Sequence, residues 1–317
     1  MHTSVVDLLL DYEVSSPAHF LFNIQAAFHP GQRVLHEQLT VTPAIKMRCF
    51  SDARSGNRFF RLDAPAGALS VRYHASVELS VAPAPAHLDE TPITEVPDEV
   101  LHYLMPSRYC ESDSLSRVAQ QLFGQLPPGI ERVRAIEKWI FESITYQPGS
   151  SQSTTTAQDV FVRRVGVCRD FAHLGITLCR ALNIPARLVV GYVHFQEPPQ
   201  DFHALFEAWL GGRWVLFDPT QLAPVERLVR IGTGRDAKDV AFATIFGDVK
   251  MPRKDVTVAE DGDAVTGTAS LSGGQPVGLT IGPLAAPPAA PPAAPPTPRA
   301  ASPAGLPPAQ PLAPPGS

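Results

Sequence analysis

A thiol, an imidazole and a carboxylate follow one another along the middle of the chain as Cys168, His203 and Asp218. Each stands where a regular element is expected to begin or end, so each can project into a cleft. Cys168 follows Gly166-Val167 and opens a helical pattern. A helix N-terminus offers unpaired N–H groups and positive potential, which stabilise a thiolate. The same donors can hold the oxyanion formed when that thiolate attacks a carbonyl. Taken singly, each residue has a plainer role: a packed cysteine, a hydrogen-bonding histidine, an aspartate forming a turn ahead of Pro219. Together, on three element ends, they point to nucleophilic catalysis.

The relation between His203 and Asp218 follows from the turn between them. Gly211-Gly212 suits a two-residue hairpin turn that pairs Leu210 with Arg213. That register sets His203 opposite Thr220 and Asp218 opposite Leu205. A four-residue turn closed by Trp209 and Trp214 gives the same register. The two polar residues then share a sheet face as diagonal neighbours, roughly 7–8 Å apart at the backbone. The carboxylate can fix the imidazole tautomer and leave the other ring nitrogen for the thiol. A three-residue bulged turn would instead put them on opposite faces.

The elements that must position these groups are legible as patterns. Phe171, Leu174, Gly175, Leu178 and Leu182 form the apolar face of the cysteine helix, which Asn183 and Pro185 end. RLVVGYVHF is a strand rich in β-branched residues, expected inside a sheet. Cys179 lies three turns into the helix and is expected to be structural. Ahead of it, Leu115, Val118, Ala119 and Leu122 predict one helix, with Ser114 as its cap. Val133, Ile136, Glu137, Ile140 and Ile144 predict a second, begun after Pro127-Pro128-Gly129. Tyr109 and Cys110 read as packing residues, and DVFVRR as a short helical turn. Metal binding at Asp170/His173 or at Asp201/His203/Glu207 is disfavoured, because neither group makes a complete ligand set. Asp170 and His173 either brace the site or face solvent.

Residues 1–82 read as all-β. Leu69, Val71, Tyr73, Ala75, Val77, Leu79 and Val81 alternate with polar partners, as do Phe20, Phe22, Ile24, Ala26 and Phe28. Ile45, Met47 and Cys49 continue the pattern, so Cys49 is expected to be buried. A small sandwich or curled sheet fits. Residues 83–100 form a proline-broken linker, 101–260 a catalytic domain, 261–282 a weakly structured stretch, and 283–317 a Pro/Ala-rich tail expected to be disordered or polyproline II. The tail could engage a proline-recognising groove. Residues 221–260 read as mostly irregular apart from an edge strand at RKDVTVAE.

The 317 residues can bury a substantial core. A net charge of -5 gives no reason to expect a nucleic-acid partner. No apolar run spans a membrane, and MHTSVVDLLLDYEV reads as a strand, not a signal peptide. Four widely spaced cysteines fit neither a zinc pattern nor a disulfide framework, so a reduced, cytoplasmic protein without a cofactor is expected.

GVCRDFAHL, DFHALFEAWLGGRWVLFDPT, GRDAKDVAF and the preceding ITYQPGSS and TAQDVFVRRVGVC resemble the bacterial transglutaminase-like superfamily of cysteine enzymes. The resemblance covers roughly residues 100–250, and the β-rich first part resembles the region that accompanies such domains. It implies an α+β fold: an N-terminal all-β domain, then a papain-like core with the cysteine helix packed on an antiparallel sheet. Carried over, Cys168 matches the nucleophile, His203 the general base and Asp218 the residue orienting it. The chain departs from the His-Ala-Trp of many members, reading His203-Ala204-Leu205. The expected substrate is a protein or peptide amide. An amine acceptor would make the enzyme a transglutaminase, water a protease or amidase. No calcium-loop pattern is present. A non-enzymatic scaffold is the reading from another class, and the intact Cys168, His203 and Asp218 argue against it.

Overall fold

Alternation with a period of two dominates the first third of the chain, and the computed structural model, which describes residues 2–80, 82–260 and 279–280, folds it into strands. These are β1 (His2–Val14), β2 (Ala18–Phe22), β3 (Gln32–Thr42), β4 (Arg48–Ser51), β5 (Arg58–Ala64) and β6 (Gly67–Leu79). After β7 (Ala82–Pro83) come α1 (Asp98–Leu101), α2 (Ser116–Phe123), α3 (Ile130–Ser143), β8 (Thr145–Tyr146), α4 (Ala157–Arg163), β9 (Val165–Gly166) and α5 (Cys168–Ala181). The rest of the chain adds β10 (Ala186–Tyr192), β11 (His203–Leu210), β12 (Arg213–Phe217), β13 (Val229–Gly234), β14 (Ala243–Phe246), β15 (Val249–Glu260) and β16 (Leu279–Thr280). Val81, most of 261–282 and the Pro/Ala-rich tail lie outside the described residues. No helix among the described residues is long and apolar enough to cross a membrane.

Two four-stranded sheets, ordered β15-β1-β6-β3 and β14-β2-β5-β4, make the N-terminal sandwich. Leu8, Leu10, Val71 and Tyr73 from the first meet Phe20, Phe22, Phe60 and Leu62 from the second in one buried cluster. Ile24 and Ala26 are also buried. The alternation fails at two ends. Phe28 is exposed, with the Arg58 guanidinium 4.8 Å over its ring. Cys49 is exposed, not buried as its spacing predicts. It lies on β4, an edge strand of four residues that runs past the core, while Ile45 and Met47 still pack against it.

The sandwich is completed from far along the chain. β15 pairs antiparallel with β1 as an edge strand, and β14 with β2. Residues 243–260 therefore belong to the N-terminal sheets and not to a catalytic domain running to 260. LVRIGTG also differs from the irregular structure expected of it: β13 pairs with β10.

The second half supplies the site. A sheet ordered β13-β10-β11-β12-β16-β7 carries α5 on one side. Phe171, Leu174 and Leu178 of that helix pack with Phe206, Val215 and Phe217. Burying each of these large side chains contributes about 1.5–3 kcal/mol. α3 buries Val133, Ile136, Glu137 and Ile140 as its spacing predicts. In α2 the buried face is Leu115, Ala119 and Phe123, with Leu122 exposed. Ser114 does not cap that helix; Leu115 stands at the cap position and makes no side-chain bond there. The architecture is thus α+β, a β-rich region followed by a cysteine-bearing helix on an antiparallel sheet.

Candidate functional site

Gly211 and Gly212 have φ of +55° and +75°, the left-handed pair that a two-residue type I′ hairpin needs. Leu210 pairs with Arg213, Trp209 with Trp214 and Phe206 with Phe217. This is the register expected from the turn, so the strand ends that carry His203 and Asp218 lie side by side. His203 Nε2 is 2.8 Å from Asp218 Oδ2, with both residues almost wholly buried. Asp218 Oδ1 accepts from Thr220 N at 2.9 Å and from Thr220 Oγ1 at 2.7 Å. Both carboxylate oxygens are therefore occupied, and the imidazole presents Nδ1 away from Asp218.

Cys168 is the first residue of α5 and is partly buried. Its Sγ lies 3.9 Å from the carbonyl of Phe202, the residue preceding His203. Burial alone would lower the His203 ionisation. The Asp218 charge and hydrogen bond, with a smaller contribution from the adjacent Cys168 thiol, outweigh burial and raise it to about 10. Burial alone would raise Asp218; His203 and Thr220 outweigh it and hold the carboxyl below its usual range. The structure thus brings the thiol, imidazole and carboxylate together as a pair plus a neighbour, with charge favoured on the pair.

The surroundings of Cys168 are ordered by short local contacts. β8 and β9 pair in parallel, with Tyr146 in register with Gly166. A Cβ on Gly166 would come within 2.8 Å of Asp170 Cβ, so only glycine admits this approach. Asp170 Oδ2 accepts from Val167 N at 2.9 Å and closes the first turn of α5. Its Oδ1 accepts from Ser151 Oγ at 3.0 Å, and Arg169 reaches Gln152 O at 2.7 Å, which ties the 147–156 loop to the helix start. His173 accepts from Ala237 N at Nε2 and stacks on Tyr109, 5.2 Å between ring centroids. Burial pushes its ionisation down to about 3, so it is neutral. Asp170 and His173 are both buried braces. The carboxylates of the other metal grouping are held elsewhere, Asp201 by Lys254 and Glu207 by Arg187 and Arg230. Cys110 and Cys179 are fully buried, and burial pushes the Cys110 thiol up to about 12.

Two residues enter that the sequence did not mark as functional. The Tyr146 hydroxyl is engaged by both the main-chain N–H and the thiol of Cys168. Burial first, then the neighbouring thiol, push it well above its ordinary range, so it remains a donor. Glu137 of α3 is 3% exposed, and its carboxyl accepts from the main-chain N–H of Asp218 while Oε2 has no partner. Burial and then the Asp218 charge raise it to about 8. Parallel pairing of two-residue strands could not be read locally, and Glu137 falls on an otherwise apolar helix face.

With this geometry stand several comparisons. Residues 4–99 match the family described as bacterial transglutaminase, N-terminal domain, and residues 116–219 match the transglutaminase-like superfamily. An uncharacterised protein of Mycobacterium leprae is 30% identical over 250 residues, which cover 73% of this chain and 88% of that one. An uncharacterised protein of Mycobacterium tuberculosis is 28% identical over 236 residues, 66% of this chain and 75% of the other. The crystal structure of a proposed cysteine protease from Cytophaga hutchinsonii superposes with a TM-score of 0.81 at 40% identity, covering 88% of this chain and 97% of that one. Family and fold together support a thiol-dependent hydrolase or transferase activity in general. The chain belongs to the transglutaminase-like superfamily.

Proposed function

We propose that the protein transfers acyl groups from protein or peptide amides through a thioester on Cys168, with His203 as acid and base and Asp218 orienting it. One observation carries this reading: the thiol that opens α5 neighbours an imidazole whose far nitrogen is 2.8 Å from a buried carboxylate. A high imidazole pKa beside a thiol at a helix start favours the thiolate–imidazolium pair. The thiolate adds to the amide carbonyl, and the carbonyl π electrons move onto oxygen. The Tyr146 hydroxyl, which engages the Cys168 thiol and accepts from the Cys168 N–H, is the donor assigned to that oxygen. As the oxyanion collapses the C–N bond breaks, and the amine leaves with the proton from His203. His203 then takes a proton from the acceptor, which attacks the thioester and releases Cys168 as thiolate.

An amine acceptor gives transfer and water gives hydrolysis. Hydrolysis, as a cysteine protease or amidase, is the second reading, and the 40% identical Cytophaga hutchinsonii chain described as a proposed cysteine protease favours it. Mass spectrometry of glutamine-containing peptides incubated with and without a primary amine separates the two. Ammonia loss with amine incorporation means transfer; cleavage or deamidation alone means hydrolysis. If neither product forms from a broad peptide library, and iodoacetamide labels Cys168 no faster than a free model thiol, the enzymatic reading is wrong.

A further inference from the structure

We propose that a second cavity, at the opposite end of the catalytic sheet, binds a small carboxylate with a neutral or cationic aromatic body. The cavity has a volume of about 640 Å³ and lies where the turn after β4, the α1 segment and the residues following β13 meet the outer ends of β10 and β12. That volume suits a small organic ligand. Arg187 in its wall is four residues along β10 from Gly191, which faces His203, so the cavity lies roughly 13 Å down the strand from the triad.

Its floor holds a cation without a full set of partners. Arg187 is 8% exposed; its Nε donates to Glu207 Oε2 at 2.7 Å, and its guanidinium stacks 4.1 Å over Trp214. Among the described residues its Nη atoms carry no hydrogen bond. Glu207 also accepts from Arg230 Nη2 at 2.6 Å, so one buried carboxylate serves two buried guanidiniums and the cluster keeps one positive charge in excess. Arg230 Nη1 is likewise buried without a partner. A buried charge in excess is costly until an anion meets it. Thr233, 6% exposed and in the same wall, has a buried Oγ1 without a partner. A planar carboxylate matches the open Nη edge of a guanidinium, and a hydroxyl can add a third donor.

The acidic residues in the lining set the rest of the ligand. Asp239 is spent on Arg235, at its N, Nε and Nη2, and Asp52 on Arg54 N and Ser55 Oγ. Asp98 and Glu99 are exposed and stay free to repel a polyanion. Burial and then Arg235, Arg54 and Arg180, against Asp239, hold the wall residue His102 below its ordinary range. Phe59, Tyr103 and Trp214 give the body an aromatic surface.

Calorimetric titration of the whole chain tests this. The probes are N-acetylphenylalanine, its neutral amide, the peptide Ala-Ala-Phe with a free or an amidated C-terminus, and inorganic phosphate. The expected result is saturable binding of a free acid, at least tenfold tighter than the matching amide or phosphate. Preference for N-acetylphenylalanine points to a free small acid, preference for Ala-Ala-Phe to a chain end. Arg187→Lys should weaken the acid at least tenfold and Thr233→Val severalfold. If Arg187→Lys does not fold, Thr233→Val decides. Absence of saturable acid binding, equal binding of acid and amide, or unchanged binding in the folded variants overturns the proposal.

Discussion

Two buried ionic groups share one side of β11. By the period of two, His203, Leu205 and Glu207 project the same way. At one end His203 and Asp218 make a balanced pair, one imidazole to one carboxylate, open on the imidazole side to a partly buried thiol. At the other, Arg187, Glu207 and Arg230 make an unbalanced trio, two cations to one carboxylate. Both are desolvated, and both depress a carboxyl: Glu207 is held at about 2 by Arg187 and Arg230 against its own burial. The difference lies in what can move. His203 can shed its proton within an accessible pH range; the guanidiniums cannot. The first arrangement suits proton transfer, the second a fixed field.

Breaking the balanced pair should have the largest effect. His203→Ala should lower kcat/KM on peptide amides by ~10⁴-fold and slow iodoacetamide labelling of Cys168. Asp218→Asn removes the largest influence that raises His203. Wild-type activity should persist until His203 deprotonates near pH 10, and in Asp218→Asn this alkaline limb should move down while the maximal rate falls. The stability sign is the same. A raised His contributes fully below its unfolded value of about 6.5, and the contribution is lost as pH rises through about 10. A pH–rate profile of Asp218→Asn with an unmoved alkaline limb would count against the pairing.

Breaking the trio should read out in stability. Glu207→Gln leaves two buried guanidiniums without a counter-charge and should cost about 3–5 kcal/mol, measured by urea unfolding at pH 7. Cys168 labelling in the folded fraction should change far less than in His203→Ala. Equal losses of thiol reactivity would show that the two ends are not separable.

Between these lies Tyr146. Tyr146→Phe keeps the ring and loses only the hydroxyl that meets Cys168. Loss of one oxyanion donor costs about 10²-fold in kcat, so a fall of that order with KM little changed is expected. Steady-state kinetics on one peptide substrate checks this.

How much of this was legible depended on how locally it was encoded. The His203–Asp218 relation followed from two glycines, because a type I′ turn fixes register over the whole hairpin. The Cys168 helix followed from its apolar spacing and its Asn183 and Pro185 end. Nothing local assigns β14 and β15 to the sandwich, because their partners, β2 and β1, lie more than 200 residues away. β13 reads as irregular through its glycines. One edge of it pairs with β10, and the other is held by the Asn57 side chain, which donates to Thr233 O and accepts from Thr233 N, as a neighbouring strand would. Tyr146 is illegible for a related reason: its register with Gly166 comes from a two-residue parallel pair that carries no turn signal.

Glu137 gives the finest test of the comparison, because it is a buried carboxyl that the Arg134 charge only partly offsets. Its folded ionisation is raised to about 8 by burial and then by Asp218. A raised carboxyl favours the folded state only while protonated, so its contribution is present below the unfolded value of about 4.3 and declines as pH climbs. It is lost by about pH 8. Glu137→Gln keeps the carbonyl oxygen that accepts from Asp218 N and removes the titration. The variant should therefore be more stable than wild type at pH 8, by roughly 4 kcal/mol, and closer to it at pH 5. It should also remove a negative charge near Asp218, which shifts the alkaline limb of activity down slightly where wild-type Glu137 is ionised. Paired urea titrations at the two pH values measure the first effect. A variant less stable than wild type at pH 8 would mean that burial and the Asp218 charge do not raise Glu137, and that its ionised form is accommodated where it lies.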